Sequence, residues 1–205
     1  MAKIKLTKGE LKRQRDSLKQ FRHYLPTLQL KKQQLQMKIL EARNLVGERN
    51  VVLREKCDEI NRWAGLLADS SVDLNAWIMP ESIVVDRVNI AGANVPVFNT
   101  IHFKPAEYDF YTMPFWVDAG IKELRLLMTC RAEIYVVERR IAILSHELRI
   151  TTQRVNLFEK VKIPECLDNI RIIRIYLGDQ QSNAVGVSKV AKKKIEDKIL
   201  EEASC

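Results

Sequence analysis

Read in steps of seven from Ile4, the chain gives Leu11, Leu18, Leu25, Lys32, Ile39, Val46, Leu53, Ile60, Leu67 and Leu74, apolar everywhere but Lys32. A seven-residue repeat held this long selects a left-handed coiled coil over a globular helix, whose apolar period is 3.6. Three residues after each member stand Thr7, Gln14, Phe21, Leu28, Leu35, Ala42, Arg49, Lys56, Trp63, Ser70 and Trp77. The seam is therefore strong on one side and mixed on the other. About 75 helical residues would reach on the order of 110 Å. A chain of 205 residues cannot build a compact core of that length, so the arm needs a second long helix beside it.

The same chain supplies one. After Pro114 the stripe resumes as Leu127, Ile134, Ile141, Leu148 and Val155, with Cys130, Val137, Leu144, Thr151 and Phe158 three residues on. It then changes register to Ile163, Leu167, Ile170, Ile173 and Leu177. Glu133, Glu138, Arg139, Arg140, Glu147 and Arg149 fall on the other faces, as a solvated helix requires. Antiparallel folding from junctions near Ile78 and Phe115 would set Ile60 against Glu133 and Pro26 against Leu167, beside Pro164. Each of these prolines either kinks its helix or ends it, and the first alternative predicts a bend at their common level.

Between the arms, Ile83–Ile90 and Val95–Phe103 are β-prone, and Ala91-Gly-Ala-Asn94 has the small residues a hairpin turn needs. Pro96 belongs at a strand start or an open edge. A lone hairpin is marginal in water, so this one should pack on the helices or dock a partner. The expected fold is all-α: a long antiparallel two-helix coiled coil with a small central β-hairpin insert. Its divisions are an N-terminal arm (1–79), the insert (80–114), and a C-terminal arm and tail (115–205).

Only 7 Gly and 6 Pro leave little room for the turns of an all-β domain. No apolar run exceeds that of Ile134–Val137, so no segment is expected to insert in a membrane. Nor does the start of the chain read as a secretory signal. Cys57, Cys130, Cys166 and Cys205 are too scattered for a CxxC pair, which points to a reducing, cytoplasmic setting. There is no GxxxxGK[ST] loop, and His146-Glu147 has Ile150 where a zinc helix needs its second histidine. These absences predict no cofactor, no metal site and no catalysis by this chain alone.

Charge is concentrated at one end. Lys3, Lys5, Lys8, Lys12, Arg13, Arg15, Lys19, Arg22, Lys31, Lys32 and Lys38 are opposed only by Glu10 and Asp16, an excess greater than the whole chain's +8. Lys189, Lys192, Lys193, Lys194 and Lys198 lie in the tail, nearly balanced by Glu196, Asp197, Glu201 and Glu202. A basic end of this kind suits nucleic acid or an acidic protein collar. The segment has no groove-reading motif and only Phe21 and Tyr24 as aromatics, so nucleic acid is not expected.

Leu6-Thr-Lys-Gly-Glu-Leu-Lys-Arg-Gln-Arg-Asp-Ser-Leu18 and Leu30-Lys-Lys-Gln-Gln-Leu35 resemble the first helix of the D subunit of V-type (V/A-type) ATPases. More specific are Arg154-Val155-Asn156, Glu159 and Ile163-Pro164, which look like the signature of that family's second helix. The resemblance implies the central rotor shaft of a rotary ATPase on the cytoplasmic side of a membrane. Its partners would be the A and B subunits of the catalytic head, the F subunit of the stalk, and the adaptor subunit of the membrane ring. The shaft would couple ATP synthesis or hydrolysis to proton or sodium transport by rotation. Lys8, Lys12, Arg13, Arg15 and Lys19 would face the head, and the insert the membrane-proximal partners. One departure stands out: Leu177-Gly-Asp-Gln-Gln-Ser-Asn-Ala-Val-Gly-Val187 is nearly neutral where the family is charged. Its two glycines predict an interrupted tail helix. A stand-alone coiled-coil adaptor or scaffold remains the alternative. The shaft of an F-type synthase does not fit, because Glu81–Met113 is too short for its inserted α/β domain.

Overall fold

The computed structural model describes residues 5–68, 74–109, 111 and 113–203. Lys3, Ile4, Ser70, Cys205 and the side chain of Lys198, all used above, lie outside what is described. Helix α1 spans Lys8–Asn61, and a 3₁₀ turn follows at Ala64–Ala68. The short α2 (Asn75–Ile78), β1 (Pro80–Ile90) and β2 (Ala93–Phe103) come next. Helix α3 (Trp116–Leu157) runs through a π turn at Phe158–Lys162 into α4 (Ile163–Ala203). Among the described residues the fold is all-α apart from one antiparallel hairpin. It divides into two compact units, Leu30–Thr152 and Met1–Gln29 with Gln153–Cys205.

The heptads explain the helices. Thr7 starts α1 by accepting the Glu10 N–H at 3.3 Å, the Thr-x-x-Glu arrangement that satisfies an otherwise orphaned donor. From Leu11 to Ile60, every member of the two predicted rows is buried or half-buried except Arg49. Arg49 is the exception because its guanidinium reaches Glu133 of α3 at 3.1 Å. All ten predicted seam residues from Leu127 to Phe158 are likewise covered.

Within the Leu30–Thr152 unit, α1 and α3 run antiparallel. Lys31 faces Glu147 at 3.9 Å, Arg49 faces Glu133, and Lys56 faces Glu123 at 3.4 Å. Glu133 thus meets Arg49 and not Ile60, about three helical turns from the expected register. The cause is the position of the junction. Helix α1 stops at Asn61, and Trp63 tucks beside Trp116, with ring centroids 6.4 Å apart. Gly120 makes room for that contact, since a Cβ there would come within 3.3 Å of Trp116 and 3.5 Å of Trp63. Leu67 and Leu74 continued the seven-step row only by arithmetic. Leu67 is exposed after the helix has ended, and Leu74 is buried in a separate cluster with Val117 and Ile121.

The hairpin folds back onto the helices. Ala91 and Gly92 turn it with φ of 50° and 84°, a two-residue connection whose positive φ values match the twist of the strands. The Gly92 N–H donates to Asn89 Oδ1 at 3.0 Å. Ala93 and Val95 bury against Leu35 and Ile39 of α1 and Leu144 of α3, so the turn end is cemented into the seam. Pro96 lies within β2 opposite Arg87, and in a two-stranded ribbon each strand keeps an open edge. The hairpin's other end is held by Arg125. Its Nε donates to the Trp77 carbonyl at 3.0 Å, its Nη2 to the Lys104 carbonyl at 2.6 Å, and its guanidinium lies 5.3 Å from the Phe103 ring centre.

In the other unit, α1 pairs with the end of α3 and with α4. Phe21 meets Phe158 at 5.0 Å, and the buried Asn169 donates to Gln14 at 3.5 Å. These pairs set Pro164 opposite residues that precede Phe21, whereas Pro26 follows it. The two prolines do not share a level, for the same reason that the register moved. Helix α1 continues unbroken through Pro26. Pro164 is accommodated differently: the turn before it widens, and the Ile163 N–H donates to the Phe158 carbonyl, five residues back. The widened turn adds one residue, which accounts for the change of stripe register seen in the sequence. Downstream, Cys166, Asn169, Ile170 and Ile173 are the buried positions.

The tail expectation fails. Helix α4 runs through Gly178 and Gly186 to Ala203 without a break. Two glycines cost about 2 kcal/mol in propensity. Gln180–Tyr176 (3.1 Å) and Lys192–Glu196 (3.7 Å) add i,i+4 support along the helix.

Candidate partner-binding surfaces

Lys8, Lys12, Arg13, Arg15 and Lys19 are all exposed on the first turns of α1. Arg13 alone among them has an ion-pair partner within the described residues, Glu10 at 3.5 Å. Glu10 also accepts from Gln14 Nε2 at 2.9 Å, and Gln14 in turn accepts from Asn169. A short polar relay thus ties the basic row to the seam. The row extends onto α4. Arg15, Arg171 and Arg174 rim a groove of about 500 Å³ floored by Leu18, Leu167, Ile170 and Ile175. Of the five residues expected to meet the head, only Arg15 lines this groove. Arg171 and Arg174 went unnoticed in the sequence. Their signal was present, since each directly follows a member of the shifted stripe, Ile170 or Ile173.

The signature residues divide by burial. Val155 is buried in the seam and Ile163 is half-covered, while Arg154, Asn156, Glu159 and Pro164 are exposed. Glu159 lies inside the π turn. Three of these side chains therefore present polar groups on the helix surface, and Pro164 shapes the backbone there.

A second surface surrounds the hairpin. Every residue from Glu81 to Asn89 is exposed, in contrast to the buried and half-buried pattern of β2. Beyond the hairpin's base, Met79, Tyr111 and Phe115 are among the most exposed large apolar residues of the unit. The segment joining the hairpin to α3 is tied down at Tyr108, whose hydroxyl donates to Asp118 Oδ1 at 3.0 Å. Lys122 donates to Asp118 Oδ2 at 3.0 Å. The Lys122 hydrogen bond, then that of Tyr108, holds the Asp118 carboxyl below its usual range. Burial and the Asp118 contact push the Tyr108 hydroxyl up. Burial also raises the Cys166 thiol, which favours a small hydrophobe over a reactive thiolate.

Among the described residues, no group of three or more His, Cys, Asp or Glu side chains could hold a metal ion. None of the described helices is long and apolar enough to cross a membrane. The fold defines the class: an antiparallel helical coiled-coil protein with a small β-hairpin and with exposed charged and apolar surfaces.

Comparison with known proteins makes the class specific. A family model for the D subunit of ATP synthase matches residues 10–193. The D subunit of the V-type ATP synthase of Borreliella burgdorferi is 44% identical over 192 residues, covering 94% of this chain and 95% of that protein. The corresponding D subunits of Chlamydia abortus (35% identical, covering 100% and 99%) and Chlamydia pneumoniae (34%, covering 94% and 93%) are also similar along their length. The chain belongs to the D-subunit family of ATP synthases.

Proposed function

We propose that the protein is the central shaft of a V-type ATP synthase, turning within the head formed by the A and B subunits. On this reading it couples ATP synthesis or hydrolysis there to proton or sodium transport through the membrane. Residues 1–79 and 115–205 act as the shaft, and 80–114 dock the F subunit and the adaptor of the membrane ring. The chain itself contributes no catalytic group. Each orientation of an asymmetric shaft favours one conformation of the catalytic interfaces over the others, so rotation acts by shifting populations.

The observation that carries this reading is the exposed cationic row of α1, joined by Arg171 and Arg174 on a paired helix, in a family of ATP synthase subunits. A seam zipped between two helices supplies torsional stiffness that a single helix lacks. The cationic surface suits acidic loops of a head.

The test is charge reversal. Lys12→Glu/Arg13→Glu/Arg15→Glu should weaken binding to a purified A/B head about ten-fold or more at low salt. It should also flatten the salt dependence, because exposed charges are screened over about 10 Å at 0.1 M. A salt response equal to that of the unaltered chain would dispose of the idea.

A further inference from the structure

We infer that the groove between the hairpin and α3 is a docking site for an acidic, apolar-anchored segment of a neighbouring stalk subunit. The inference rests on the proposed function only in requiring such a neighbour.

The groove has a volume of about 480 Å³ and lies within the Leu30–Thr152 unit. Its buried lining is apolar, formed by Val95 and Val136. Its walls are Ile83 and Val85 of β1 and Ile143 of α3, and its rim carries Arg87, Tyr135 and Arg139. Arginine and tyrosine around an apolar floor are the residue types that dominate binding energy at interfaces. No carboxylate lines the groove, and neither Arg87 nor Arg139 forms an ion pair among the described residues. Two unpaired guanidinium groups beside apolar walls call for an occupant with carboxylates next to apolar side chains.

The strand above the groove points the same way. Ile83, Val84, Val85 and Val88 are 36–46% exposed on an eleven-residue strand. Long apolar edge strands are a liability that proteins normally cover, and nothing in the described chain covers this one. A second copy of the chain is a poor occupant. Two chains of +8 repel one another.

The test uses the assembled complex, purified through a tag on the head, with a photo-reactive phenylalanine analogue in place of exposed Tyr135. Mass spectrometry of the cross-linked peptide should find a segment of another stalk subunit in which carboxylates alternate with apolar residues. Arg87→Glu/Arg139→Glu should cut the cross-link yield about ten-fold or more. Arg87→Gln/Arg139→Gln should cut it less, and reversing the charges of the captured segment should restore it. Helix content measured by circular dichroism should stay unchanged in both variants. A cross-link to a second copy, one to a neutral or basic segment, a yield indifferent to the charge changes, or no cross-link in an assembled complex would each overturn the inference and leave the shaft reading standing. A chain that fails to co-purify with the head would sink both.

Discussion

Leu144 is the residue on which the hairpin, α1 and α3 converge. It is fully buried among Leu35, Ile39, Ala93 and Val95. Truncation to alanine removes the transfer free energy of three carbons and leaves a cavity, a combination that costs about 2–5 kcal/mol in well-packed cores. The lower half of that range applies here, because one wall is the turn end of a two-stranded ribbon that can settle inward. About 3 kcal/mol is therefore expected for Leu144→Ala. All three tryptophans, Trp63, Trp77 and Trp116, lie in the Leu30–Thr152 unit, so fluorescence in a urea titration follows that unit alone. With a urea slope of roughly 2 kcal/mol/M, the midpoint should fall by about 1.5 M. Leu126→Ala on the same helix, at a side chain 51% exposed, should move it by less than about 0.3 M. Equal midpoints for the two variants would refute the claim that the hairpin is cemented into the seam through Leu144.

Arg125→Met should lose two hydrogen bonds to backbone carbonyls and the contact with Phe103, a cost of about 2–3 kcal/mol in the same titration, with Arg125→Lys intermediate. Ala91→Asn, which places a residue tolerant of positive φ before Gly92, should slow hydrogen exchange of hairpin amides several-fold; faster exchange would contradict the turn geometry. Because the Asp118 carboxyl is held below its ordinary value, its support for the Tyr108 segment is complete above about pH 4 and lost as pH falls through the depressed value. Fluorescence of Trp77, 5.2 Å from Tyr108, should report that acid transition in the native chain, and Asp118→Asn should abolish it. Deleting Lys160 in the π turn while changing Pro164→Ala should preserve the amide protection of residues 166–173, whereas deleting Lys160 alone should cost about 3 kcal/mol by forcing Pro164 into a regular helix.

The seam was legible because burial follows the seven-residue period so closely. Every predicted row member on α1 between Leu11 and Ile60 is covered, Arg49 apart. The hairpin was legible for local reasons, namely β-branched runs around Ala91-Gly92. Where α1 stops was not, because the row ran on through Leu67 and Leu74 and nothing nearby marks the end as a proline would. Packing decides it, because Trp63 tucks beside Trp116 once the helix has ended. The change of stripe after Phe158 could be read, although it placed Leu167 in the seam where Cys166 is buried and Leu167 exposed; the π turn behind it could not, since periodicity records an added residue without saying how the backbone absorbs it. The tail was misjudged by treating two glycines as breaks, when each costs only about 1 kcal/mol in a helix. The arginine groove was missed because Arg15 and Arg171 are distant in sequence and meet only through the Gln14–Asn169 register.

That register itself needs a cause, since seven-residue seams tolerate slippage by whole heptads. The cross-helix ion pairs Lys31–Glu147, Arg49–Glu133 and Lys56–Glu123 are partly exposed and contribute little stability each. Their value is discriminatory. Sliding α3 by one heptad against α1 would take Glu133 from Arg49 and Glu123 from Lys56, which would keep only Glu59 of its own helix, so a slipped register loses pairs that the native one makes. In the other unit the buried Asn169 works the same way, because displacement from Gln14 would strand an amide among Ile170, Ile173 and Cys166. Each unit thus carries its own polar index on the seam. The shaft role proposed above would call on this property more than on high stability. A purely leucine seam would be stronger, but it could relax under load by shifting one heptad, and the angle of one end would no longer fix the angle of the other.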